Sequence, residues 1–266
     1  MPDNKINNKI IEKIESEIYK KSKIDYEKIG SLLIEVMENS DDPAGFFRIA
    51  IDAGILEKIL PEISRLEGIP AGPVKYHRED CFEHSMMVLE EMYKLRGNDP
   101  TALLMSLFHD LGKGETPKKK LPKHYYHGER GVELAEEIAD RFSWDDKYKE
   151  AIKAGCREHM RILNLNKMQP HKVINAVQDM METDIEDIVP MILDLVTADE
   201  KGRIASKPSK DFDRDEIKDI IEKSKKIIEN IDVKTVLQEE QQSISGGMEV
   251  RDIINKKRAD ELKKKL

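Results

Sequence analysis

The amino-acid sequence predicts an all-α protein. Three observations carry that expectation. Charged residues make up 37% of the 266-residue chain and aromatics only 5%, a balance rich in Leu, Ile, Met, Glu, Lys and Asp that suits helices with charged outer faces better than sheets. Apolar residues recur at helical spacing, most plainly in Ile6, Ile10, Ile11, Ile14 and Ile18. No segment reads as a strand, and no internal repeat is present. A chain of this length buries a core without disulfide or metal staples.

Taken in order, the isoleucine stripe predicts a helix over 5–20, and a second follows over about 26–38. Ser40-Asp41-Asp42-Pro43 reads as a capping segment with proline in the first turn, opening a helix through Phe46, Phe47 and Ile51 that Gly54 stops. Ile55 to Leu66 is helical but broken by Pro61, and 67–78 is a loop with two prolines and two glycines. A helix over 80–95 offers Met86, Val88, Leu89 and Met92 to a core. Asp99-Pro100 caps the next, whose run ALLMSLFHDLG is the most apolar in the chain, is therefore central, and ends at Gly112 and Gly114. Residues 114–128 form an irregular loop rich in Lys, Pro and aromatics. Helices follow at 128–142, 145–162, 170–182, 185–200, 213–231 and 247–265, with 202–213 a loop and Ser245-Gly246-Gly247 a joint.

The composition excludes several classes. A net charge of −8 argues against duplex DNA binding. No apolar stretch reaches the ~18 residues that span a bilayer. The polar, mixed-charge N-terminus is no signal peptide. Cys81 and Cys156 stand far apart without a CxxC motif, which argues against a disulfide framework or a thiolate zinc site and fits a reducing compartment; a cytoplasmic location is expected. Positive charge is local, in Lys118-Lys119-Lys120 with Lys123, in Lys223 with Lys225-Lys226, and in Lys263-Lys264-Lys265; the last two runs read as solvated surfaces.

Of the seven histidines, His109 stands out because Asp110 follows it at the end of the most apolar helix. A desolvated carboxylate beside an imidazole needs compensation, which a divalent cation supplies. A buried His-Asp hydrogen bond without metal is the alternative.

The pair has company. His84, His109-Asp110 and Asp199 lie on three predicted helices, in the order H…HD…D. The text HDLGKGETP runs on to HYYHGERG, and ILPEISRLEGIP and HREDCFEHSMMVLEEM precede it. Over residues 26–205 the chain resembles the HD-domain metal-dependent phosphohydrolases, and within them the C-terminal HD domain of bacterial multifunctional CCA-adding tRNA nucleotidyltransferases. The glycine-rich turn and paired carboxylates of the nucleotidyltransferase head have no counterpart here, so CCA addition is not expected. The resemblance implies an HD-domain helical bundle over 71–205, with a helical segment 1–70 packing on it and a C-terminal helical extension 206–266 to which no function attaches. Whether the isoleucine stripe packs on its own chain or on a second copy stays open, and with it a homo-oligomer.

The resemblance also implies roles. His84, His109, Asp110 and Asp199 are the expected metal ligands, with His127 and His159 completing a set for one or two ions of Mn, Fe, Co, Ni, Zn or Mg. His127 could instead contact substrate, and Glu158 could make an ordinary surface pair beside His159. Asp110 would orient a nucleophilic water, and Lys113 would neutralise phosphate charge, unless it serves only as a helix C-terminal cation. His124 is the candidate for proton delivery, or else a loop residue held by its neighbours; Arg130 and Arg203 are candidate phosphate clamps. Tyr125 and Tyr126, with Lys118 to Lys120, suit a nucleotide or an RNA 3′ end, or form a solvated lid. The expected activity is hydrolysis of nucleotide or RNA-end phosphoesters, of the 2′,3′-cyclic phosphodiesterase or nucleotidase type. A (deoxy)nucleotide triphosphohydrolase and a metal-binding docking module for RNA or protein are the alternatives.

Overall fold

In the computed structural model the described residues are 5–20, 23–204, 212–239 and 249–266. Among them every regular element is helical, and one isolated antiparallel bridge joins Pro70 to Asp80. None of the described helices is long and apolar enough to cross a membrane. Two compact units result, one of residues 1–160 and 190–209, the other of 161–189 and 210–266.

The first unit opens with α1 (Lys5–Tyr19), α2 (Tyr26–Asn39) and α3 (Pro43–Asp52). The stripe of α1 packs on α2 and α3 of its own chain. Its buried face runs through Asn7, Ile10, Ile11, Ile14 and Glu17, leaving Ile6 outside. The two polar members are bonded: Asn7 Nδ2 donates to the Asp42 carbonyl at 2.8 Å, and Glu17 accepts from the Asp25 amide at 2.9 Å. Asp42 caps α3 by accepting from Gly45 N, with Pro43 in the first turn. Pro61 separates α4 (Leu56–Ile59) from α5 (Pro61–Ser64).

Asp80 caps α6 (Cys81–Arg96), and Asp99 caps α7 (Pro100–Phe108). Every residue of α7 after its proline is buried, as its apolar run predicts. Asn98 ties the turn between them to the end of α2, donating to the Met37 and Ser40 carbonyls at 3.0 and 2.9 Å. The central helix is shorter than expected. It stops at Phe108, and a 3₁₀ turn follows over Leu111–Glu115. His109 Nδ1 donates to the Ser106 carbonyl at 2.7 Å, the acceptor that the Asp110 amide would need for the helix to continue. A second 3₁₀ turn covers Lys118–Lys120; then come α8 (His127–Phe142) and α9 (Asp146–Leu163).

Residues 190–201 of α11 (Ile188–Lys201) complete the first unit. Gly202 follows, and a Cβ there would come within 2.9 Å of Val88 N and Cγ2, so α11 ends in direct backbone contact with α6. Gly112 plays the same part for the 3₁₀ turn. A Cβ on it would overlap the His127 carbonyl oxygen and reach 2.7 Å from Gly131 N.

The second unit contains α10 (Pro170–Met181), α12 (Arg214–Asn230), α13 (Val233–Glu239) and α14 (Val250–Lys263). Here α10 packs on α12 and α14, and Arg258 links Gln178, Asn255 and the Ile228 carbonyl. The sequence reading misses α13, whose seven residues carry one buried apolar side chain and no stripe. The joint at Ser245-Gly246-Gly247 and most of the 202–213 loop lie outside the described residues.

The close approach at Gly112 yields a test. Gly112→Ala should lower the unfolding free energy by about 1–3 kcal/mol in urea titration, because backbone must move to admit the methyl group. Gly114→Ala, whose Cβ would meet nothing nearer than Leu66 Cδ2 at 3.5 Å, should be neutral or slightly stabilising. Equal effects at both positions would contradict this packing.

Candidate metal centre

Five elements of the first unit deliver polar side chains to one buried point. His84 comes from α6, His109 and Asp110 from the end of α7, His127 from the first position of α8, His159 from α9 and Asp199 from α11. His84, His109, Asp110, His159 and Asp199 are all buried, at 0–3% exposure, where an unsatisfied polar group costs several kcal/mol. His84 and His109, and His109 and His159, meet edge to face with centroids 5.4 and 5.2 Å apart, while His159 and His127 are tilted at 5.2 Å.

Each of the four rings gives its Nδ1 to a backbone carbonyl. His84 bonds Gly202 O at 2.9 Å, His109 bonds Ser106 O at 2.7 Å, His127 bonds His124 O at 2.7 Å and His159 bonds Gly155 O at 2.9 Å. A carbonyl only accepts, so every Nδ1 carries a proton and every Nε2 is directed inward. Two of these, His127 Nε2 and His159 Nε2, face each other at 3.1 Å. His84 Nε2, His109 Nε2 and Asp110 Oδ1 are buried with no hydrogen-bond partner. Buried polar atoms without partners that converge on one point are what a cation satisfies.

Asp110 divides the set. Its Oδ2 faces His109 Nε2 at 3.2 Å and His84 Nε2 at 3.4 Å, while its Oδ1 faces His127 Nε2 at 3.4 Å and His159 Nε2 at 3.5 Å. Two donor groups result, His84 with His109 and Asp199, and Asp110 with His127 and His159. Two imidazoles and one carboxylate in each group fit divalent transition metals better than Mg²⁺, which prefers oxygen donors. A third cluster, His77 with Glu79 and His84, has compact geometry but closed valences. Glu79 Oε1 holds His77 Nδ1 at 2.7 Å, and its Oε2 accepts the Arg78 and Ile204 amides at 2.9 and 3.1 Å. Glu79 therefore ties the loop before α6 to the segment after α11. The sequence reading does not single out His77 or Glu79; the one signal was an H-x-E spacing just ahead of the capping Asp80.

Cations already flank the carboxylates. Lys113 Nζ lies 2.6 Å from Asp110 Oδ2 and donates to the Ala71 carbonyl at 2.8 Å. Arg203 grips Asp199 with Nε and a terminal nitrogen at 3.2 and 2.7 Å and also pairs with Glu200. Burial works against ionising Asp110, but Lys113 and His109 overcome it and hold the carboxyl well below its usual range. Asp199 is likewise held low against its burial, by Arg203 and His84. Burial also opposes charge on His84, yet Asp110 and Asp199 lift it to about 9. Its Nε2 is within 3.1 Å of Asp199 Oδ1, close enough for an ion pair although the angles do not make a hydrogen bond. Burial lowers His109, and it takes His127 down to about 4.

The remaining sequence candidates sit at the rim. Both ring nitrogens of His124 are engaged, Nδ1 with Thr116 Oγ1 and Nε2 with the Pro70 carbonyl, each at 2.8 Å. Arg130 reaches the Gly112 and Tyr125 carbonyls at 3.2 and 2.8 Å and Thr116 Oγ1 at 3.2 Å. Both side chains hold the 116–126 segment, and neither offers an unengaged nitrogen or a fork to the ligand cluster. Arg203 is likewise paired with carboxylates. Glu158, next to His159, is buried and pairs with Arg157 at 2.6 Å.

The family model of the HD domain matches residues 81–199. The chain is 38% identical over 137 residues to a multifunctional CCA protein of Thioalkalivibrio sulfidiphilus, covering 51% of this chain and 33% of the relative. For that of Alkalilimnicola ehrlichii the identity is 38% over 122 residues, 46% of this chain and 29% of the relative. For that of Acinetobacter baumannii (strain SDF) it is 31% over 170 residues, 64% and 40%. The chain thus spans well under half the length of these curated relatives.

The electrostatics predict opposite pH responses with and without metal. In the metal-free protein His84 keeps its proton up to about 9, whereas an unfolded histidine loses it near pH 6.5. The folded state then binds more protons, so its stability should fall as pH rises from 6.5 to 9. A cation must displace that same proton, so its apparent affinity should climb toward tenfold per pH unit over the window. His109 and His127 are lowered and have no proton to release there. Thermal unfolding in EDTA and metal titration by calorimetry read the two slopes; slopes of the same sign would contradict the assignment.

Proposed function

On the premise that residues 81–199 are an HD domain, we propose that this chain is a metal-dependent phosphohydrolase acting on nucleotide or RNA-end phosphoesters, of the 2′,3′-cyclic phosphodiesterase or nucleotidase type. The observation that supports this best is the Asp110 carboxylate, with one oxygen turned to each histidine pair and every Nδ1 locked to a carbonyl. His84, His109 and Asp199 would hold one divalent cation, His127 and His159 a second, with Asp110 common to both. Such cations supply Lewis acidity, lowering the pKa of water and neutralising phosphoryl charge.

The charge balance favours an anionic substrate. Lys113 and Arg203 offset Asp110 and Asp199, and even with Glu79 and Glu200 counted, two divalent cations leave the centre with net positive charge. A phosphate ester restores neutrality where a neutral amide or glycoside would not. Lys113 is the chain's own cation at the reaction point, and its burial strengthens its field on a developing phosphorane. Its ammonium also fixes Asp110 Oδ2, so that carboxylate orients the attacking water. Arg203 acts through Asp199, holding both of its oxygens. His124 and Arg130 act through the rim segment that they brace.

The name of the relatives, multifunctional CCA protein, supports placing the substrate among RNA ends and nucleotides. Purified protein should contain divalent metal by mass spectrometry and hydrolyse 2′,3′-cyclic nucleotides or a bis-aryl phosphodiester with Mn²⁺, Ni²⁺, Co²⁺ or Mg²⁺. Asp110→Ala should lower kcat/KM by roughly 10³-fold or more, about 4 kcal/mol of transition-state stabilisation. Turnover confined to deoxynucleoside triphosphates would move the substrate class, and metal without any turnover would leave a docking module. Neither metal nor turnover would overturn the reading.

A further inference from the structure

The rim segment between the 3₁₀ turn at Leu111–Glu115 and α8 combines three properties that the chemistry at Asp110 does not use. It concentrates unpaired positive charge. Lys118, Lys119, Lys120 and Lys123 are all exposed, and none has an ion-pair partner among the described residues, in a chain of net charge −8. It is braced, because Thr116, His124 and Arg130 fasten it to the Pro70, Gly112 and Tyr125 carbonyls. It also exposes two aromatic rings at a conformational cost. Tyr125 and Tyr126 are 58% and 75% exposed, and Tyr126 sits in the left-handed region at φ 60°, immediately before His127. A bulky side chain in that region costs about 1–2 kcal/mol, and the Tyr126 ring recovers none of it by burial.

A rigid run of cations beside two open aromatic faces is the arrangement that grips a single strand, with ammonium groups on successive phosphates and rings under successive bases. Four cations exceed what one mononucleotide phosphate can engage. We propose that residues 117–126 form a subsite for single-stranded polynucleotide, which carries the strand's terminal phosphoester toward Asp110. This rests on the phosphohydrolase reading for its catalytic meaning, but strand binding itself does not require turnover.

The test is fluorescence anisotropy of the full chain with a labelled single-stranded oligonucleotide of about twelve nucleotides, across a salt series. Log K against log salt should have a slope near −2 to −3, as about four phosphate contacts on a single strand require. Replacing Lys118, Lys119 and Lys120 together by alanine should weaken binding at least tenfold at low salt and make the slope shallower by about 2. Tyr125→Ala with Tyr126→Ala should weaken it about tenfold while leaving the slope in place, since stacking carries no counterions. If the protein turns over any phosphodiester, the preference for an oligonucleotide over the matching mononucleotide should fall at least tenfold in the lysine variant. Salt-independent binding, wild-type affinity in the lysine variant, or capture by anionic lipid vesicles in preference to the strand would each overturn the proposal. Binding without turnover would retain it and overturn only the catalytic reading.

Discussion

The molecule is organised around one desolvated carboxylate. Asp110 is 2% exposed and stays ionised, which is unfavourable unless positive charge or hydrogen bonds meet both oxygens. Lys113 meets one of them directly, but Oδ1 has no hydrogen bond and looks at two imidazole nitrogens. The rest of the site follows from that deficit. Four rings are turned with their Nε2 atoms inward, a second carboxylate is held by its own arginine, and the Nε2 proton on His84 meets part of the demand in the metal-free molecule. A proton can be exchanged for a cation, whereas a hydrophobic side chain could not.

Turning four imidazoles the same way needs four carbonyls in the right places; α9 itself offers the Gly155 carbonyl to His159, and the local fold provides the other three by departing from ideal helices. The Ser106 carbonyl is available to His109 because α7 ends at Phe108. The His124 carbonyl reaches His127 because the chain enters α8 through a left-handed Tyr126. The Gly202 carbonyl reaches His84 because a residue without a side chain lets the end of α11 touch α6. Gly112 lets α8 close on the turn carrying Asp110. Irregular backbone at the site is thus the means by which tautomers are set, and Glu79 fastens one such segment by accepting the Ile204 amide.

Much of this was legible in the sequence, for identifiable reasons. Helix order followed from apolar spacing and from capping residues such as Asp42, Asp80 and Asp99, whose bonds are local. Of the six candidate ligands, His109 and Asp110 stand out because they are costly at the end of an apolar helix, and the other four are named because the surrounding text resembles a known family. What escaped depends on partners distant in the chain. The bonds that His124 and Arg130 make are not readable from a sequence, which displays donors but not the carbonyls that engage them. Glu79 was unremarked because its partner amide lies 125 residues away. The polar ends of the α1 face, Asn7 and Glu17, look like surface residues until Asp42 and Asp25 are brought to them.

The distribution of cations completes the logic. At the centre, lysine and arginine are each committed to a carboxylate at 2.6–2.7 Å, so they set protonation states and position ligands while adding no loose charge. At the rim Lys118, Lys119, Lys120 and Lys123 are exposed and have no ion-pair partner among the described residues. A buried cation without a partner would be costly, but a solvated one is nearly neutral to stability and is freely available to an approaching polyanion. Within the roughly 10 Å over which such charges act at moderate salt, the local surplus outweighs a net negative charge spread over the whole surface. The same residue type therefore serves two ends, determined by burial alone: at Asp110 it holds the centre's charge in balance, and on the 117–126 segment it gives an acidic protein a positive threshold to that centre.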